Sequence, residues 1–348
     1  MMEITVRQSN HLKSIAILMM LCLHLFNRDY EGLFSPLIFI REKPLIYYIS
    51  LFSDACVPIF AFVSGFGLYY KYRQDREKYS LRSNVKRIYY LYKVYWLILF
   101  IFVLGLGLLL QVDGYPGNIG KFLLAFSGLT ASSYNGAAWF FTIYILFVIF
   151  SKSFFQILDI FPKIFFVISA VIYVIAFYFR VYQSQFFDHA VLQWLHTNLA
   201  LFGTTLFQFL LGAYSLKYRW KSLISRLFYK LPLKNLVVLT GIIFLIVFHA
   251  YIPNFIIAPL TGLGFILLFT QLDLPKNIEK GLDFLTPHTI NIWLTHMFFY
   301  LIFFRDFIYS PKYVIPIFLL LVLCCILTSY IINFILNFKI AYKKRRLT

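Results

Sequence analysis

Apolar runs long enough to cross a bilayer recur from one end of this chain to the other, separated by short polar segments. A stretch of about 18 or more apolar residues is the length a membrane-spanning helix needs. Each such run reads as a membrane helix. Of the 348 residues 61% are hydrophobic and only 13% are charged, against about a quarter charged in soluble domains. The expected fold class is therefore all-α, a polytopic integral membrane protein of about ten transmembrane helices with no soluble domain. The spans are expected at 11–27, 45–70, 88–111, 136–157, 163–180, 194–214, 235–252, 255–272, 287–304 and 312–338. They form one domain over 1–348, with a basic tail from about 339 to 348.

The net charge of +18 is distributed as a topology signal rather than as a nucleic-acid surface. Lys71, Arg73, Arg76, Lys78, Arg82, Lys86 and Arg87 follow the second span, and Lys217, Arg219, Lys221, Arg226, Lys230 and Lys234 follow the sixth. The tail carries Lys343, Lys344, Arg345 and Arg346. Segments after the third, fifth and seventh spans are almost uncharged, and that after the first balances Arg28, Arg41 and Lys43 against Asp29, Glu31 and Glu42. Positive charge collects on the cytoplasmic side, so a multi-pass protein of the cell membrane with both termini cytoplasmic is expected. No small-residue cleavage site follows the first run, which reads as a retained helix rather than a signal peptide. Cys22, Cys56, Cys324 and Cys325 all lie in apolar segments and offer neither a disulfide framework nor metal-ligand spacing.

Ionisable residues inside such spans are functional candidates by default, since each costs roughly 2.5 kcal/mol or more in hydrocarbon. Lys13 and His24 stand at the two ends of the first span, roughly 16 Å apart at about 1.5 Å rise per residue. The topology puts Lys13 near the cytoplasmic face and His24 toward the outside. Asp54, His249 and His296 fall in the outer half of three other spans, so one polar cavity is conceivable. The bland readings compete: a membrane histidine is often bonded to a neighbouring helix, a bond worth only about 0.6 kcal/mol on average. Lys13 has a good snorkelling explanation. His11 and His288 read as solvated at the interface, while His189 and His196 lie in or beside an outer loop. Asp54, about ten residues inside its span, should be paired, neutral or facing water. Pro58 frees a carbonyl one turn earlier, and Ser64-Gly65 reads as close helix packing.

Taken in order, these residues resemble the membrane-bound acyltransferase-3 family, which O-acylates carbohydrates and other cell-envelope molecules. Lys13 and His24, with ten residues between them, are similar to its first-helix basic residue and histidine. Val57-Pro58-Ile59-Phe60 with Ser64-Gly65-Phe66, Ala138-Trp139-Phe140, Phe209-Leu210-Leu211-Gly212, and Thr289 to His296 resemble later elements. The matches run from the first span to the ninth. Lys13 replaces the commoner Arg, Pro58 replaces a frequent acid, and of the family's Arg-x-x-Arg only Arg87 carries over, with Arg82 and Lys86 as substitutes.

The resemblance implies transfer of an acyl group, most often acetyl, from cytoplasmic acyl-CoA to a hydroxyl of an extracytoplasmic polysaccharide or other bacterial envelope glycan. Lys13, Arg82, Lys86 and Arg87 would then contact the CoA phosphates. His24 would act as general base or transient acyl carrier, Asp54 would orient it, and His296 would position acceptor or thioester. No metal is called for, and a homo-oligomer stays open. The rival reading is a transporter or flippase using His and Asp as a proton relay, although no inverted repeat or matched pair of broken helices is visible. A non-catalytic sensor or scaffold is the third.

Overall fold

The computed structural model describes residues 3–345, and side chains as far as residue 337. It is 79% helical with almost no strand. The side chains of the basic tail expected from about 339 lie outside the described residues. Eight helices among the described residues are long and apolar enough to cross a membrane. These are α1 (Val6–Phe26), α2 (Leu45–Gln74), α3 (Leu81–Leu109), α4 (Gly136–Ile160), α5 (Pro162–Val181), α6 (Ala190–Tyr218), α7 (Lys234–Tyr251) and, at the end of the chain, α10 (Val314–Asn337). The two remaining expected spans are a shorter apolar helix, α8 (Phe255–Phe269), and α9 (Thr289–Met297), which continues as a π-helical segment over Phe298–Phe303. All ten expected spans thus have helical counterparts, and the chain is a membrane protein.

The chain divides into two compact units. Unit 1 comprises Met1–Leu23, Tyr47–Asn84 and Ile143–Thr286, and its centre is the crossing of α2 and α6. A Cβ built on Gly65 would overlap the carbonyl of Phe209, standing 2.8 Å from its carbon, and one on Gly212 would stand 2.7 Å from the Phe66 nitrogen. Two backbones therefore approach at reciprocal glycines, as helices in lipid do where no hydrophobic driving force exists to press them together. The Ser64-Gly65 and Leu211-Gly212 elements, far apart in sequence, are the two sides of this one contact. Gly262 of α8 lies against Pro58 in the same manner, at 2.7 Å to its Cβ. Around the crossing Phe209 stacks on Phe147 and Phe155, with ring centroids 4.6 and 6.0 Å away.

Polar contacts fix two other places in unit 1. Asp159 accepts from Tyr69 at 2.6 Å and pairs with Arg76 at 2.7 Å and Lys217 at 3.2 Å. Asp283, on the short helix Lys276–Leu285, pairs with Arg7 at 2.8 Å and with His11 Nε2 at 2.7 Å. Arg7 also reaches Glu279 at 3.0 Å. Hydrogen bonds from the Arg7 guanidinium first and the His11 ring next hold the Asp283 carboxyl down to about 2. His11 is only 3% exposed, which corrects its reading as a solvated interfacial residue.

Unit 2 comprises His24–Ile46, Val85–Thr142 and Pro287–Thr348. α1 thus passes from unit 1 to unit 2 between Leu23 and His24. A small hairpin, β1 (Phe39–Ile40) with β2 (Lys43–Pro44), pairs antiparallel after it. Both π-helical segments belong here, Leu99–Leu106 in α3 and Phe298–Phe303 after α9. They meet through Phe102 stacked on Phe298 at 4.7 Å. π-turns are rare and concentrate at functional sites. His288, buried and bonded through Nδ1 to Ser329 at 2.8 Å, is likewise not the solvated residue expected. Asn291 donates to the same Ser329 oxygen at 2.7 Å, which ties α9 to α10.

Candidate functional site

The first and ninth spans contribute one histidine each to a common place in unit 2. His24 occupies the last turn of α1 and His296 the last turn of α9. Their ring centroids lie 5.0 Å apart. Two further polar groups stand here: Arg28, just past the end of α1, and Tyr300, in the π-helical continuation of α9. Tyr300 stacks on His296 at 5.8 Å and brings its hydroxyl to 3.3 Å from His24 Nδ1. The Arg28 guanidinium sits 5.1 Å over the Tyr300 ring.

Hydrogen bonding fixes the His296 tautomer. Its Nδ1 has two carbonyl partners, Trp293 O at 2.8 Å and Ile292 O at 3.2 Å. Carbonyl oxygens only accept, so Nδ1 carries the proton and Nε2 presents a lone pair. That Nε2 is buried and has no partner among the described residues. The residue is 0% exposed whereas His24 is half-buried. The site therefore holds a basic nitrogen in a fixed direction, a second imidazole beside it and a cation close by. Such a set can take a proton from a hydroxyl and stabilise developing negative charge.

The turn that opens α4 holds α9 in place. Asn135 accepts from Ala137 N at 3.1 Å and donates to Leu294 O at 2.7 Å, and the Trp293 indole donates to Ala137 O at 2.8 Å. Both tie the Asn135-to-Ala137 turn to residues within three positions of His296. Trp139 is half-buried, and its neighbour Phe140 packs on Trp293 at 5.9 Å.

The other expected site residues divide between the two units. Asp54 lies in unit 1, in the single turn Ser53–Ala55 that interrupts α2, and faces His249 Nε2 at 4.0 Å. Lys13 is also in unit 1, half-buried, with Nζ 3.4 Å from Asn10 Oδ1. Arg82 in unit 1 and Lys86 in unit 2 are exposed at the start of α3, and Arg87 of unit 2 is half-buried. Tyr300, Arg28, Asn135 and Trp293 were not singled out from sequence. The i+4 spacing from His296 was a signal for Tyr300, whereas Arg28, past the end of α1, reads from sequence as a topology determinant.

No curated protein and no solved structure matches the chain. The family model of the acyltransferase-3 type, described as an acyltransferase domain, matches residues 6–334. That range takes in every residue of the His24 and His296 site and all of the described spans but the last three residues of α10. The chain therefore belongs to the acyltransferase-3 family, and the histidine pair sits within its acyltransferase domain.

Proposed function

We propose that this acyltransferase moves an acetyl group from acyl-CoA, supplied on the cytoplasmic side, to a hydroxyl of an envelope carbohydrate on the opposite side of the cell membrane. The observation that supports it best is the His24 and His296 pair, with its bare Nε2 on His296 and Tyr300 on His24 Nδ1. Tyr300, whose hydroxyl stands 3.3 Å from His24 Nδ1, is a group proposed to orient that ring.

In the proposed step His24 Nδ1–H donates to the Tyr300 oxygen, leaving Nε2 as the base. A neutral imidazole, with an ordinary pKa near 6.5, is matched to that task at neutral pH. As Nε2 takes the hydroxyl proton, the oxygen bonds to the thioester carbonyl carbon. The carbon–sulfur bond then breaks, and the thiolate recovers the proton from the imidazolium. The products are an ester and free CoA thiol. His296 Nε2 accepts a hydrogen bond from the acceptor and so aims it. Arg28 offsets negative charge on the carbonyl oxygen during the step. Lys13, Arg82, Lys86 and Arg87 are the cations proposed for the CoA phosphates.

The test is incubation of the protein in membranes with acetyl-labelled acetyl-CoA and envelope glycan. Label joined covalently to glycan by the wild type, and absent with His24→Ala at equal insertion, is the expected result. Glycan moved across the membrane without label would overturn it in favour of a transporter.

A further inference from the structure

The link between α6 and α7 lies wholly within unit 1 and takes no part in the step above. Arg219 alone separates the end of α6 from a nine-residue helix, Trp220–Phe228, and residues 229–233 then lead into α7 at Lys234. Both flanking helices are long and apolar enough to span the bilayer. A link this short, tied at each end to a span, stays at the membrane surface.

The short helix is turned the opposite way from an amphipathic helix on a water-soluble protein. Its polar side faces the protein: Ser222 donates to Glu3 Oε1 at 2.5 Å, Ser225 to Gln271 Oε1 at 2.8 Å and Lys221 to Gln8 Oε1 at 3.2 Å. Positions 221, 222 and 225 share a face at helical spacing. Leu223 and Leu227, one turn apart on the other side, are 50% and 69% exposed. In water such a helix would bury the leucines and expose the serines. Three polar contacts hold the reverse orientation, and leucines turned outward at a membrane surface meet lipid. The apolar exposure runs on through Leu231, Leu233 and Leu236 into α7.

Charge narrows the kind of lipid. From Lys217 to Lys234 the chain holds six cations and no acid. Lys217 is paired with Asp159, Lys234 is paired with Asp273, and Lys221 is bonded to Gln8. Arg219, Arg226 and Lys230 are exposed and have no acid partner among the described residues. Arg226, three residues after Leu223, stands beside the exposed leucines, and Lys230 follows in the turn that leaves the helix. A guanidinium engages phosphate oxygens through paired N–H donors. A zwitterionic headgroup carries its own cation beside the phosphate, whereas an anionic headgroup lacks one and is attracted by surface Lys and Arg.

We propose that the helix Trp220–Phe228 seats an anionic phospholipid, with Leu223 and Leu227 against its acyl chains and Arg226 and Lys230 on its headgroup phosphate.

Trp220, half-buried at the start of the helix, is a native reporter. The full-length protein is reconstituted in phosphatidylcholine bilayers with increasing fractions of phosphatidylglycerol, either lipid being brominated on its acyl chains. The Trp220 emission is the difference between wild type and Trp220→Phe. Quenching by both brominated lipids is expected, with an exchange constant that favours phosphatidylglycerol by about fivefold or more. In Arg226→Gln/Lys230→Gln that constant should fall to about one, and Arg226→Lys/Lys230→Arg should restore it. Leu227→Ser should reduce quenching by both lipids. Inorganic phosphate at constant ionic strength should not compete, and an unchanged melting temperature in each variant separates binding from folding. No quenching of Trp220 by either lipid would place this face in water and overturn the proposal. So would equal exchange of the two lipids, a preference that survives in Arg226→Gln/Lys230→Gln, or displacement by inorganic phosphate.

Discussion

If His24 and His296 act as one unit, removing both should cost little more than removing the more important one. Loss of a general base typically lowers a rate by about 10²–10⁴, or about 3–5 kcal/mol of barrier. For independent residues two such losses multiply, so two thousand-fold defects would give roughly a million-fold. The ring centroids are only 5.0 Å apart and Tyr300 touches both rings, which is the range in which neighbouring residues couple. Catalytic groups that share one step are strongly non-additive. The double variant His24→Ala/His296→Ala is therefore expected within about tenfold of the worse single variant, a coupling of several kcal/mol. Because His296 is 0% exposed, its truncation also opens a cavity, and His296→Asn serves as a second version that retains a polar group. The assay is transfer of labelled acetyl from acetyl-CoA in membranes, normalised to inserted protein, with melting temperature measured alongside. A double variant that loses the full product of the single losses would refute the shared step, and a wild-type rate in His24→Ala would refute the base itself.

Three further outcomes follow from particular contacts. The Asp283 carboxyl is held to about 2 by Arg7 and His11, below the usual value of about 4. Its contribution to stability is present above about pH 4 and lost as pH falls through about 2, so the gap in melting temperature between wild type and Asp283→Asn should narrow on acidification below about pH 4; a gap that widens contradicts the assignment. Gly65→Ala should reduce the yield of monodisperse protein on size exclusion, because its Cβ would stand 2.8 Å from the Phe209 carbonyl carbon, whereas Gly67→Ala, with nothing within 4 Å, should behave as wild type. Lys13→Arg should hold the acyl-CoA KM within about threefold and Lys13→Ala should raise it about tenfold, a charge-assisted phosphate contact being worth about 1.5 kcal/mol; donor kinetics that do not respond to Lys13→Ala would dismiss the CoA contact.

Much of the fold was legible in the order of apolar runs, because span length is set by the bilayer and not by neighbouring helices. All ten expected spans recur as helices, and most ends lie within a turn or two of expectation. α8, expected over 255–272, is shorter, since its helix ends at Phe269. The readings of His11 and His288 failed for one reason. Proximity to an interface predicts solvation only if nothing packs there, and here the Lys276–Leu285 helix covers His11 and α10 supplies Ser329 to His288. The Gly65 element was read as packing from sequence, and packing is what the structure assigns to it. Its partner Gly212 was visible only as a resemblance.

The sequence by itself determined the class of the protein and the family, because hydropathy, length and ordered motifs are properties of the chain read in one dimension. It also raised His24, His296, Asp54 and His249 as ionisable groups within spans, and so as candidates. Which of them meet was decided by tertiary structure alone. Each helix can rotate about its axis without changing its hydropathy, and a rotation of about 100° per residue carries a side chain from lipid to a neighbour. That rotation is set by packing at small residues such as Gly65, Gly212 and Gly262 and by bonds such as Asn135 to Leu294. It joined His24 to His296 in one unit and Asp54 to His249 in the other.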